Sequence, residues 1–113
     1  MTTTTALRWE SMRTAETSGV EDLLRRAGFA QVDAYRYNSA SIRLRVIDPR
    51  FERLSIEKRD AMVEPYLEQL PERTQADIIS LFTFAPSELS QSPKTFREFC
   101  QNAEFDDPSP SIL

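Results

Sequence analysis

Gln31-Val32-Asp33-Ala34-Tyr35-Arg36-Tyr37-Asn38 and Ser41-Ile42-Arg43-Leu44-Arg45-Val46-Ile47 are the two runs whose reading decides the fold. Both alternate with period two and are rich in the Val, Ile and Tyr that strands favour. The short reversal at Asn38-Ser39-Ala40 between them predicts a β-hairpin. In the second run Ile42, Leu44 and Val46 share one face, which leaves Arg43, Arg45 and Ile47 on the other. A face with two guanidinium groups is not an ordinary buried face, because burying an unpaired charge is costly. The expectation is therefore a sheet covered on one side only.

Working toward the N-terminus, Val20, Leu23, Leu24 and Ala27 recur at i, i+3, i+4 and i+7, the stripe of an amphipathic helix. Ser18-Gly19-Val20-Glu21 fits a capping box at its start, Arg25 and Arg26 complement the dipole of its last turn, and Gly28 supplies the left-handed residue that ends it. Toward the C-terminus, Asp48-Pro49-Arg50 closes the second strand and Ser55 caps a helix running to about Gln69. Its buried stripe is predicted to be Met62, Val63, Tyr66, Leu67 and Leu70, with Pro65 deleting the bond to the Ala61 carbonyl and kinking or breaking the helix. Pro71 opens a third, short helix, and Asp77 to Phe84 reads as a strand with both faces partly covered. The order αββααβ over residues 18–86 predicts an α+β fold: a small three-stranded sheet with helices packed on one face.

The flanks read differently. Residues 1–17 are Thr-rich and carry Leu7, Trp9 and Met12 only as isolated apolar points, so a flexible arm is expected, with Trp9 either folded back onto the domain or anchoring a partner. Folding back is the preferred reading. In residues 87–113, Ser92-Pro93 followed by Phe96, Phe99, Cys100 and Ala103 predicts an amphipathic helix over about 93–104. A disordered tail is expected after Asp106-Asp107-Pro108. A core this small seldom supplies more than about 3–5 kcal/mol, which favours that helix covering its own sheet over docking elsewhere.

Composition narrows the chemistry. The chain has 113 residues, 40% hydrophobic and 28% charged, and a net charge of -4, which suits one globular domain rather than a basic nucleic-acid coat. No apolar run reaches the ~20 residues that cross a bilayer, so no membrane association is expected. The start MTTTTALRWE lacks a secretory apolar region, and Glu10 and Glu16 count against a transit peptide. One cysteine, Cys100, excludes an internal disulfide and points to a reducing, cytoplasmic home. Histidine is absent, which removes Ser-His, Cys-His and His-metal constellations. Glu57, Asp60 and Glu64 fall at i, i+3 and i+7 but read as surface charges without a nucleophile or metal-ligand cluster beside them, so no enzyme and no cofactor are expected. Cys100, on an apolar stripe, reads as a packed hydrophobe.

From Ile42 to Phe84 the chain carries a strand ending Val46-Ile47-Asp48, then Arg50-Phe51, then a helix with Arg59, Met62-Val63 and Leu67, and finally the apolar strand Ile78 to Phe84. On these residues it resembles the BolA family, and αββααβ is the order of type II KH-like domains. The resemblance implies a non-enzymatic partner of monothiol glutaredoxins in iron-sulfur handling, with DNA binding proposed for some members. The family's histidine ligand falls here at Asp60, the ligand-bearing loop between the first two strands is reduced to Asn38-Ser39-Ala40, and Pro49 is an insertion. The resemblance therefore implies fold rather than cluster binding.

Two binding readings follow. Arg36, Arg43, Arg45, Arg50, Arg53, Lys58 and Arg59, with Tyr35 and Tyr37 as stacking platforms, motivate nucleic-acid binding. Against it, Gly19 and Gly28 are the only glycines, so a GxxG loop is missing, and Asp48, Glu52, Glu57 and Asp60 interleave with the cations. The preferred reading is a protein-interaction or regulatory module that binds another protein. Its candidate surface is the outer sheet face, the loop from Asp48 to Leu54 and the C-terminal helix, comprising Arg36, Arg43, Arg45, Arg50, Phe51, Arg53, Arg59, Phe96 and Phe99.

Overall fold

The computed structural model describes residues 8–90 and 92–112. Thr14 starts the first helix: its hydroxyl accepts from the Thr17 N–H at 3.1 Å, and Thr17 Oγ1 accepts from the Thr14 N–H at 2.9 Å. Helix α1 (Ala15–Arg26) thus opens a turn before the capping box expected at Ser18, and Ser18 lies inside it. Gly28, at φ 102°, ends the turn that follows, as the sequence predicts. Strands β1 (Gln31–Asn38) and β2 (Ser41–Ile47) form the expected antiparallel hairpin, with Val32 opposite Val46 and Ala34 opposite Leu44.

Asp48 then accepts from the Arg50 N–H at 2.8 Å and turns the chain through Pro49–Phe51 toward helix α2 (Ile56–Leu67), which Ser55 caps. The helix runs on through Pro65 and ends at Leu67, short of Gln69. Helix α3 (Glu72–Asp77) feeds directly into β3 (Ile78–Phe84), which lies parallel to β2. The sheet order is β1-β2-β3. Helices α1 and α2 cover one face, where Val20, Leu24, Val32, Leu44, Val46, Phe51 and Val63 are fully buried. Met62, Tyr66, Leu67 and Leu70 complete this core from its margin.

The other face, which the strand pattern alone leaves open, is covered by the N-terminal segment and by the C-terminal helix, as the preferred reading of that helix expects. A 3-10 turn (Arg8–Met12) puts Trp9, 4% exposed, into a cluster with Tyr35 and Phe105, flanked by Met12, Tyr37 and Phe82. Residues 8–17 of the expected flexible arm are therefore part of the folded body, because the tryptophan folds back as preferred; residues 1–7 of that arm lie outside the described residues. Helix α4 (Phe96–Asp106), preceded by a 3-10 turn at Pro93–Thr95, lies over the same face. It inserts Phe105 and leaves Phe96, Cys100 and Ala103 exposed. The apolar stripe expected to face the sheet is turned away because the sheet offers Arg43 and Arg45, which take Glu104, Asn102 and Asp106 from α4.

The tail is also ordered against the hairpin rather than disordered. Pro108 is buried, the Tyr37 hydroxyl donates to the Ser109 carbonyl at 2.6 Å, and the Asn38 amide donates to Ser111 Oγ at 3.1 Å. Among the described residues no helix is long and apolar enough to cross a membrane.

Candidate functional site

The arginines singled out in the sequence are mostly committed inside the molecule. Arg45, 4% exposed, donates to Asp33 at 2.7 Å, Asn102 at 2.7 Å and Asp106 at 2.6 Å, with its guanidinium 4.2 Å from the Phe105 ring centre. Arg43 donates to Glu104 at 2.7 Å and stacks 3.7 Å over Tyr37. Arg36 bridges Glu16 and Asp77, and Glu16 also accepts from the Thr74 hydroxyl. Hydrogen bonding from Arg36 holds the Glu16 carboxyl below its ordinary pKa.

Arg50 folds back on Asp48 at 3.0 Å. Burial pushes the Asp48 carboxyl up, but the Arg50 side chain and the N–H groups of Arg50 and Ala30 outweigh it and leave the net shift downward. Arg59, buried, forks onto both oxygens of Glu88 at 2.7 and 2.8 Å and lowers the pKa of that carboxyl. Phe51 is fully buried and so belongs to the core rather than to a binding surface. Arg53 is exposed at φ 62°, Phe96 is 65% exposed and Phe99 is half-buried. Of the nine candidate residues, only Arg53 and Phe96 are exposed and make no ion pair among the described residues, and they sit on separate elements.

The edges of the sheet are sealed only in part. On β1 side chains close the outer edge at two points: the buried Glu21 carboxylate accepts from the Ala34 N–H at 2.9 Å, and Arg25 donates to the Val32 carbonyl at 2.9 Å. Arg13 in turn neutralises Glu21 at 3.0 Å. On β3 alternate residues turn their backbone groups toward β2, and the Phe84 carbonyl does so by accepting from the Asp48 N–H. Leu81 and Thr83 therefore turn theirs outward. The Thr83 carbonyl takes Arg59 at 3.0 Å and the Ala85 N–H takes Glu88 at 2.8 Å, which seals the C-terminal end of this edge. Among the described residues no side chain closes it at Leu81.

Above this open stretch lies a groove of about 350 Å³ between Ile56 at the start of α2 and Arg97, Glu98 and Gln101 on α4. Ile79 marks one end. The β2–β3 register sets Ile42 opposite Ile78 and Arg43 opposite Ser80, so Ile79 is an extra residue, bulged and 68% exposed. Ile56 is 55% exposed. Thr83, also on the lining, has a buried hydroxyl without a partner. Two exposed isoleucines beside unpaired backbone form an apolar, hydrogen-bonding trough, whereas the titratable groups nearby are a single cation and a single anion. None of the residues lining this groove was among the sequence candidates.

No protein-family model, no curated protein and no solved structure matches the chain.

Proposed function

We propose that this chain is a non-catalytic, BolA-like or KH-like interaction module of the cytoplasm, and that it binds another protein at the open edge of β3. The observation that carries the reading is the coincidence of two exposed isoleucines, Ile56 and Ile79, with a stretch of sheet edge that the described residues leave unsealed. The basic residues that motivated nucleic-acid binding point the other way. Arg36, Arg43, Arg45, Arg50 and Arg59 are each held by a carboxylate, and a guanidinium so paired has little left to neutralise phosphate. Iron-sulfur sharing is not part of the proposal, since Asp60 stands where the resemblance implies a histidine ligand.

The test is affinity capture of the tagged full-length protein from its native lysate, with and without nuclease. A defined protein is expected to survive nuclease and to fall by about tenfold or more with Ile56→Asp and Ile79→Asp together, a loss near 1.4 kcal/mol. Both residues are exposed, so the variant is expected to stay folded. Disappearance of all bound material with nuclease would make the protein a nucleic-acid binder instead.

A further inference from the structure

We propose that the β3 edge accepts an extended segment of a partner protein as a fourth strand, laid beside Leu81. The inference rests on the protein-binding reading above and specifies the form and side-chain pattern of what is bound.

The backbone decides between a strand and a helix. The Leu81 N–H and C=O face the edge, and no group among the described residues meets them, while the Thr83 carbonyl and the Ala85 N–H beyond them are taken by Arg59 and Glu88. A helix has its own N–H and C=O groups tied within itself, so it cannot satisfy a strand edge. An extended segment presents donors and acceptors at the matching repeat. The bulge at Ile79 and the Arg59/Glu88 seal bound the free stretch at its two ends. The added ladder is therefore short, and side chains must supply part of the affinity.

The walls decide between a foreign segment and a second copy. The edge is recessed between Ile56 on the α2 side and Arg97, Glu98 and Gln101 on the α4 side. A second copy paired edge to edge would bring the same two walls against these, whereas a single strand enters between them. The two walls also differ in chemistry. Ile56 is apolar, and Arg97 and Glu98 carry opposite charges that form no ion pair among the described residues. Because successive side chains of a strand point to opposite sides, the complementary segment has apolar residues at every second position, toward Ile56. The residues between them face α4 and include a carboxylate for Arg97.

The probe is a phage-displayed library of random linear peptides, panned on the full-length protein, with the enriched sequences synthesised for binding and amide exchange measurements. Enriched peptides are expected to alternate apolar and polar residues and to slow exchange of the Leu81 amide by ~10-fold or more. N-methylation of every second peptide amide, in the register that pairs with Leu81, is expected to weaken binding ~10-fold or more, while the other register is tolerated. Equal binding by both N-methylated series would overturn strand addition, as would a library that yields no binder. Concentration-dependent protection of Leu81 in the protein alone would assign the edge to a second copy and overturn the proposal as well. If strand addition fails while the lysate partner is still lost with Ile56→Asp and Ile79→Asp, the protein-binding reading stands without it. If the lysate partner is also missing, that reading itself falls.

Discussion

On the inner face of the sheet Val32, Leu44 and Val46 meet Val20, Leu24 and Val63; on the outer face Tyr35, Arg45 and Phe82 meet Trp9, Phe105 and Asp106. The inner face is held by burial, which has no direction and tolerates changes of shape that conserve volume. The outer face buries an arginine and is held only if each guanidinium edge finds an acceptor and each flat side finds a ring. Arg45 meets that condition with Asp33, Asn102 and Asp106 around it and the Phe105 and Trp9 rings at 4.2 and 5.6 Å. The difference shows how a strand with alternating arginines is buried on both sides: the second layer supplies acceptors to the guanidinium groups and aromatic rings to their flat faces.

The strongest way to break this comparison is Arg45→Ala. It takes the shared guanidinium from Asp33 and Asp106, leaving Asp33 the Gln31 amide and Arg13 at 3.9 Å, and is expected to cost about 3–5 kcal/mol, as much as Leu44→Ala on the inner face at about 2–5 kcal/mol. The two differ in rescue. Adding Asp33→Ala is expected to recover part of the loss from Arg45→Ala, because one uncompensated charge goes with it, whereas adding Val32→Ala to Leu44→Ala deepens the loss. Urea unfolding of the two double-mutant cycles reads both. A cost below about 1 kcal/mol for Arg45→Ala, the value of an exposed pair, would mean that the outer layer is not a core in solution.

Phe105→Ala sharpens the comparison by removing the apolar half of the outer layer alone, at an expected cost of about 3 kcal/mol. Phe105 touches Tyr35 at 4.7 Å and Trp9 at 5.5 Å between ring centres, so its loss uncovers the only tryptophan. Trp9 emission is expected to move to longer wavelength at denaturant concentrations where the far-ultraviolet signal of α1, α2 and the sheet persists. Coincident transitions by both probes would show that the two faces melt as one unit.

The inner face was legible because each of its residues follows the period of its own element: the stripe of α1, the alternation of β2 and the packing of Val63 can be counted along the chain. The outer face was not, because Arg45 is buried by partners 12 and 61 residues away, which no local pattern records. Helix α4 was found, but its phase was misread. Its apolar stripe at Phe96, Phe99 and Cys100 is outbid by Glu104 and Asp106, whose value depends on arginines placed opposite them by the fold. The start of α1 was misread because Ser18-Gly19-Val20-Glu21 carries the capping-box pattern, whereas the cap that forms is the Thr14–Thr17 pair and the Glu21 carboxylate is taken by the Ala34 N–H. The groove at β3 depends on strand order. A hairpin fixes the β1-β2 pairing from sequence, but which strand β3 joins, and hence which edge stays open, is set by the α2-α3 crossover.

The smallest expected effect contrasts carboxylates within the same molecule. Glu88 and Glu16 are held below their ordinary pKa values by hydrogen bonds from Arg59 and Arg36. Asp60 on α2 is pushed above its ordinary pKa by burial, and then by the charges of Glu64 and Glu57, and its Oδ1 is buried without a hydrogen bond. The signs are opposite. A lowered carboxylate adds stability above its unfolded pKa, about 4.3 for Glu, and that stability is lost as pH falls through the folded value. A raised one adds stability below its unfolded pKa, about 3.9 for Asp, and that stability is lost as pH rises through the folded value. At pH 7 Asp60→Asn is therefore expected to stabilise the protein, by less than about 1 kcal/mol because the group is partly solvated. Glu88→Gln is expected to destabilise it. Thermal melts from pH 7 downward should show both differences shrinking toward zero from opposite sides. An Asp60→Asn variant that melts lower than the parent at pH 7 would mean that the carboxylate is stabilised in solution by a cation, which would place a second binding site on the α2 flank.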